Sequence, residues 1–88
     1  MLRLIYAHRF EKDLKLIHRR GFDLEKLAVV VTALRNKEVL PKRMLNHKLK
    51  GGYEGCWECH VQADWLLIYQ VTGTVILLVR TVTHADLF

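Results

Sequence analysis

The hydrophobic pattern of this chain changes period once, and that change limits the folds open to it. Up to Lys37 apolar residues recur three and four apart; after the Gly51-Gly52 pair they fall in short runs rich in aromatic and β-branched side chains. Pro41 and the basic pair Lys42-Arg43 mark the break, and residues 46–52 read as a loop. A helical half joined to a strand half, in only 88 residues, leaves room for one domain, residues 1–88, with one modest core.

Within the first half, Phe10, Leu14 and Ile17 share one face of a helix predicted over residues 8–20, and Gly21 is placed to end it as a left-handed cap. Asp23 is a suitable N-cap for a second helix over residues 24–37, whose stripe is Leu27, Val30, Val31 and Leu34. So short a connection makes the pair an antiparallel hairpin. Residues 2–6 favour a strand, as do 55–61, 65–71 and 74–83, with Thr72-Gly73 as the turn between the last two. The expected order is β-α-α-β-β-β, an α+β fold in which the helical hairpin packs on one face of a four-stranded, largely antiparallel sheet.

Charge is divided as unevenly as hydrophobicity. Residues 1–52 hold 13 Lys and Arg against 5 Asp and Glu, a net of +8, while residues 53–88 hold 1 against 4, a net of −3. A polycationic half points to a phosphate backbone, RNA or DNA, ahead of an acidic protein, with a basic face kept for solubility as the plain alternative. With 51% hydrophobic and 26% charged residues, whole-chain disorder is excluded. Apolar runs such as 66–69 and 75–79 fall far short of the roughly 20 residues a membrane helix needs. Residues 1–6 lack a secretory pattern, so a cytoplasmic location with reduced cysteines is expected.

In the second half, Arg80, Val82 and His84 lie two apart and share a face if the last strand reaches His84. His60 and Asp64 close the ends of the Val61-Gln62-Ala63 turn and are expected near each other. Arg80 is the only basic residue after Lys50, and an Arg in an apolar strand needs an anion to meet.

Cys56-Trp57-Glu58-Cys59-His60 has the spacing of c-type haem attachment. That reading is set aside, because such attachment accompanies export and neither Met1 nor Met44 is an obvious second axial ligand. Zinc would need a second ligand pair that is missing, and a redox motif would open a helix where this chain continues as strand. In a strand, positions three apart face opposite sides, so Cys56 and Cys59 are expected to be unrelated small hydrophobes. No metal or cofactor is expected.

Taken jointly, His47-Lys48-Leu49-Lys50-Gly51, Gly55, His60-Val61-Gln62-Ala63-Asp64-Trp65, Arg80 and the ending Thr83-His84-Ala85-Asp86-Leu87-Phe88 resemble the YafQ-like branch of the RelE-superfamily toxins over essentially the whole chain. The resemblance implies a RelE-like fold and a bacterial type II toxin that cuts messenger RNA in the ribosomal decoding site, without a metal, and is neutralised by a co-expressed antitoxin. Two positions depart from the pattern. Trp57 stands where an Arg is usual, which removes a phosphate contact, and Ala63 replaces a Pro, which changes only turn stiffness.

Metal-free RNA cleavage needs a base for the 2′-hydroxyl proton, an acid for the leaving 5′-oxygen and a cation for the developing phosphorane charge. The expectation is that His84 is the acid, Asp64 with His60 or His47 supplies the base, and Arg80 holds the scissile phosphate, giving 2′,3′-cyclic phosphate and 5′-hydroxyl ends. Histidine suits both roles because its ordinary pKa lies near neutrality. Trp65 and Phe88 are candidates to stack on a base, with packing the alternative for Trp65. Lys42, Arg43, Lys48 and Lys50 are expected around His47, holding RNA or ribosomal backbone, and the same patch suits an acidic antitoxin segment. Operator DNA would be met only through the antitoxin complex, and no membrane partner is expected. A nuclease-dead relative that binds RNA or antitoxin, and a gyrase-targeting ParE-like toxin, are the competing readings.

Overall fold

The computed structural model describes residues 1–87. Strand β1 (Arg3–Tyr6) leads into helix α1 (His8–Arg19), and α2 (Leu24–Arg35) follows. Gly21, at φ +85°, supplies the left-handed turn that ends α1, a conformation costly for any side chain with a Cβ. Asp23 caps α2 as expected, its carboxylate accepting from the Glu25 N–H at 3.0 Å. The helices are slightly shorter than expected, ending at Arg19 and Arg35.

Beyond the 3-10 turn Lys42–Met44 come β2 (His47–Lys48), the 3-10 turn Gly51–Tyr53, β3 (Trp57–Gln62), β4 (Trp65–Thr72) and β5 (Val75–Thr83), and the short helix α3 (His84–Leu87) follows directly. The sheet order is β1-β5-β4-β3-β2, with β1 parallel to β5 and the other neighbours antiparallel. The α+β class matches expectation, but among the described residues the sheet has five strands and the short helix α3 follows β5: the loop around His47 adds a two-residue edge strand to β3. Too short to show a pattern, such a strand is invisible to periodicity. No helix among the described residues is long and apolar enough to cross a membrane.

The two faces of the sheet have different roles. Cys59, Trp65, Leu67, Tyr69, Ile76 and Leu78 face the helices and are buried against Phe10 and Ile17 of α1 and Leu27, Val30 and Leu34 of α2. Each fully buried aliphatic or Phe contributes about 1.5–3 kcal/mol, which makes this the main source of stability. Directly paired residues share a face, so the registers place His47, Glu58, Ile68 and Arg80 in one row of the other face and His60, Leu66 and Val82 in the next. Leu66 and Ile68 are fully buried there, outside the main core.

Arg80 reaches that face because β5 is irregular. Ile68 pairs with Arg80 but Tyr69 pairs with Leu78, leaving Val79 as an extra residue in a bulge. Simple alternation from Ile76 and Leu78 would have aimed Arg80 into the helix-facing core; the bulge turns it over and sends Thr81 inward instead.

Candidate active site

Arg80 meets its anion inside the chain. Its Nε donates to Asp13 Oδ2 at 2.6 Å and Nη2 to Asp13 Oδ1 at 3.1 Å, a bidentate fork, while Nη1 donates to the Tyr53 hydroxyl at 3.1 Å. Asp13 also accepts the Thr81 N–H at 3.2 Å. The backbone beside it explains the arrangement. Strand β1 pairs with β5 only as far as Leu78, so beyond that point the β5 edge needs another acceptor, and α1 supplies Asp13. These hydrogen bonds raise the guanidinium pKa. Of the five N–H bonds of Arg80, three are used here, leaving one on Nη1 and one on Nη2 without a partner among the described residues.

His84 does not share the strand face of Arg80 and Val82, because β5 ends at Thr83 and His84 opens α3. Its Nδ1 lies 2.9 Å from Asp64 Oδ1, and its backbone N–H donates to the same oxygen at 3.3 Å. The hydrogen bond from His84 holds the Asp64 carboxyl below the usual carboxylate value. An ionised carboxylate only accepts, so His84 Nδ1 carries the hydrogen in this pair. The expected neighbours His60 and Asp64 are thus arranged differently: Asp64 turns to His84, and His60 meets His84 ring to ring, centroids 5.6 Å apart. Turn Ala63-Asp64 and helix α3 come from distant stretches, so only tertiary structure joins them.

His47 stands on β2. Its Nδ1 is 2.6 Å from the Leu45 carbonyl, which can only accept, so Nδ1 bears the hydrogen and Nε2 is the nitrogen able to take a proton. Nε2 lies 3.7 Å from the buried Glu58 carboxylate. His47, Glu58, His60 and Arg80 therefore share a face, with His84 and Asp64 at its end.

Other expected contacts are placed elsewhere. Trp65 is fully buried, edge-on to Phe22 and with its indole N–H donating to Thr81 Oγ1 at 2.7 Å, so it packs the core and does not stack on a base. Lys48 alternates away from His47, its ammonium 5.9 Å from the centre of the Trp57 ring. Lys42 and Arg43 lie on the first 3-10 turn and Lys50 precedes the second, all exposed. Phe88 lies outside the described residues. Trp57 packs against the main core, on the face opposite His60, so the departure at that position falls outside the site.

Asp13, Tyr53 and Glu58 were missed by sequence reasoning. Glu58 was legible, since it lies two before His60 on a strand and must share its face. Nothing local marks Asp13, an acid on the first helix, as the partner of an Arg 67 positions away.

Comparison with known proteins agrees with this fold. The family pattern described as "Bacterial toxin of type II toxin-antitoxin system, YafQ" matches residues 2–88. The mRNA interferase toxin YafQ of Escherichia coli strain K12 is 39% identical over 84 residues, covering 94% of this chain and 91% of that protein. Among solved structures, the E. coli DinJ-YafQ complex is similar at TM-score 0.90 and 37% identity, covering 100% of this chain and 99% of that one. A metal-bound toxin from Helicobacter pylori gives TM-score 0.92 and 39% identity, covering 100% of both chains. With the whole chain matched in sequence pattern, in fold and at this level of identity, the chain belongs to the YafQ family of bacterial type II toxins.

Proposed function

We propose that this toxin is a ribosome-dependent endoribonuclease that cleaves translated messenger RNA by metal-independent general acid–base catalysis and is neutralised by a cognate antitoxin. The observation that carries the reading is the His84 Nδ1–Asp64 hydrogen bond of 2.9 Å, which sets the tautomer of an imidazole lying against a second one, His60. His84 Nε2 is the acid. His47, its Nδ1 committed to the Leu45 carbonyl, takes the 2′-hydroxyl proton through Nε2, with His60 beside the reacting groups. The 2′-oxygen attacks phosphorus, His84 protonates the departing 5′-oxygen, and Arg80, aligned by Asp13 and Tyr53, meets the phosphorane charge with its remaining N–H bonds. The products are a 2′,3′-cyclic phosphate and a 5′-hydroxyl. Asp64 orients the acid in this scheme and is not itself the base.

The E. coli relative supports the activity and the partner: YafQ there is named an mRNA interferase toxin and is seen in a toxin–antitoxin complex with DinJ. The departure at Trp57, which favours the nuclease-dead alternative a little, lies on the face opposite His60. Primer extension on a translated messenger RNA after brief induction tests the proposal. New ends within codons, bearing 5′-hydroxyls and absent for His84→Ala, are the expected result. Growth arrest by the wild type with the messenger intact would leave a binding-only or gyrase-directed poison.

A further inference from the structure

Beside His60 a cleft of about 420 Å³ opens between α2, the first 3-10 turn and the end of β3. Val29, Met44 and Val61 give it an apolar floor, Lys26 and Arg43 add two cations, and no carboxylate lines it. The Lys26 ammonium donates to Gln62 Oε1 at 3.1 Å, a neutral acceptor, and neither cation has an ion-pair partner among the described residues. Val29 is 64% exposed, an apolar side chain that folding leaves at the surface. A flat uncharged ring joined to an anion matches such a surface: the ring covers the floor and the anion meets the cations.

We propose that this cleft holds a nucleotide flanking the scissile phosphate, its base against Val29, Met44 and Val61 and its phosphate on Lys26 and Arg43. An acidic peptide would use the same cations, but continuity with the catalytic groups favours the substrate strand. His60 forms part of the cleft wall and its ring adjoins His84, so a strand whose phosphate lies at the imidazoles enters the cleft with its next nucleotide. The inference rests on the nuclease reading and adds a binding subsite to it.

The test places a photoreactive p-benzoylphenylalanine at the exposed position of Val29, in the full-length toxin on ribosomes programmed with a messenger made uncleavable by 2′-deoxy substitution in the decoding site. The expected result is crosslinking to the messenger within or next to the substituted codon. Crosslinks to ribosomal RNA alone, or to the antitoxin in the toxin–antitoxin complex with none to messenger, would overturn the assignment. In parallel, Lys26→Ala and Arg43→Ala are expected each to lower the salt dependence of messenger engagement by about one phosphate contact, with the pH profile of cleavage unmoved. Unchanged salt dependence in both variants also counts against the cleft. The primer-extension result is read separately, so cleavage lost with His84→Ala together with no crosslink rejects the cleft alone, whereas no wild-type cleavage rejects the nuclease reading.

Discussion

Asp13 shows how one residue can serve two structural purposes at once. It is buried, closes the β5 edge and clamps the guanidinium that faces the site. Removing one partner of a buried pair strands the other, so Asp13→Ala is expected to destabilise the protein by about 3–5 kcal/mol, measured by urea unfolding. Arg80→Ala should cost a similar amount, so loss of cleavage in that variant is interpretable only beside its unfolding curve. The cysteines are free and buried as expected, although Cys56 precedes β3 and only Cys59 lies in the strand. Both are buried, burial raises the Cys56 thiol pKa, and burial, then the nearby Glu58 charge, pushes Cys59 up to about 12. A thiol-reactive dye at neutral pH is expected to label Cys59 only after denaturation; rapid labelling of the native protein would contradict this placement. Among the catalytic candidates, His84, His60, Asp64 and Arg80 were legible as residues, but the Asp64–His84 partnership was not, because it crosses 20 positions of chain.

At the scale of elements, the decisive piece is the shortest helix. Thr83 and Asp86 cap α3 reciprocally: Thr83 Oγ1 accepts the Asp86 N–H at 3.4 Å and Asp86 Oδ2 accepts the Thr83 N–H at 3.3 Å. Arg20 then grips the Asp86 carboxylate in a fork, at 2.7 and 3.2 Å, tying α3 and His84 to the end of α1. Asp86→Asn is therefore expected to slow cleavage while leaving the urea midpoint near wild type, since the pair lies at the surface. The hydrogen bond from Arg20 holds the Asp86 carboxyl below its ordinary 3.8. A lowered carboxylate pKa contributes stability above the unfolded value and loses it as the pH falls through the folded one. Docking of α3 should then persist from neutrality down to about that value and fail below it, which Leu87 methyl resonances followed through an acid titration would report. The two long helices were readable because apolar spacing and caps are local; β2 and the bulge at Val79 were not, because each exists only by pairing with a neighbour.

For the whole molecule, the layer order explains how a small chain carries both a core and the proposed catalytic surface. The helices cover one face of the sheet, and the other gathers His47, Glu58, His60 and Arg80 in register beside the turn and short helix that bring Asp64 and His84. No group of three or more His, Cys, Asp or Glu side chains comes together as a metal site among the described residues. Cleavage by the metal-stripped toxin is expected to survive when fresh chelator is confined to the toxin before assay, because the ribosome itself needs magnesium; loss restored by one added transition metal would refute the acid–base scheme. By itself the sequence determined the two long helices, four of the five strands and their order, the division between helical and strand halves, and the set of polar residues available for chemistry, since periodicity, turn residues and charge act over a few neighbours. Tertiary structure alone decided that Arg80 turns to the site through a bulge, that Asp13 holds it, that Trp65 is core and that Asp64 serves His84. Those outcomes depend on register and long-range packing, where moving one strand by one residue exchanges its two faces.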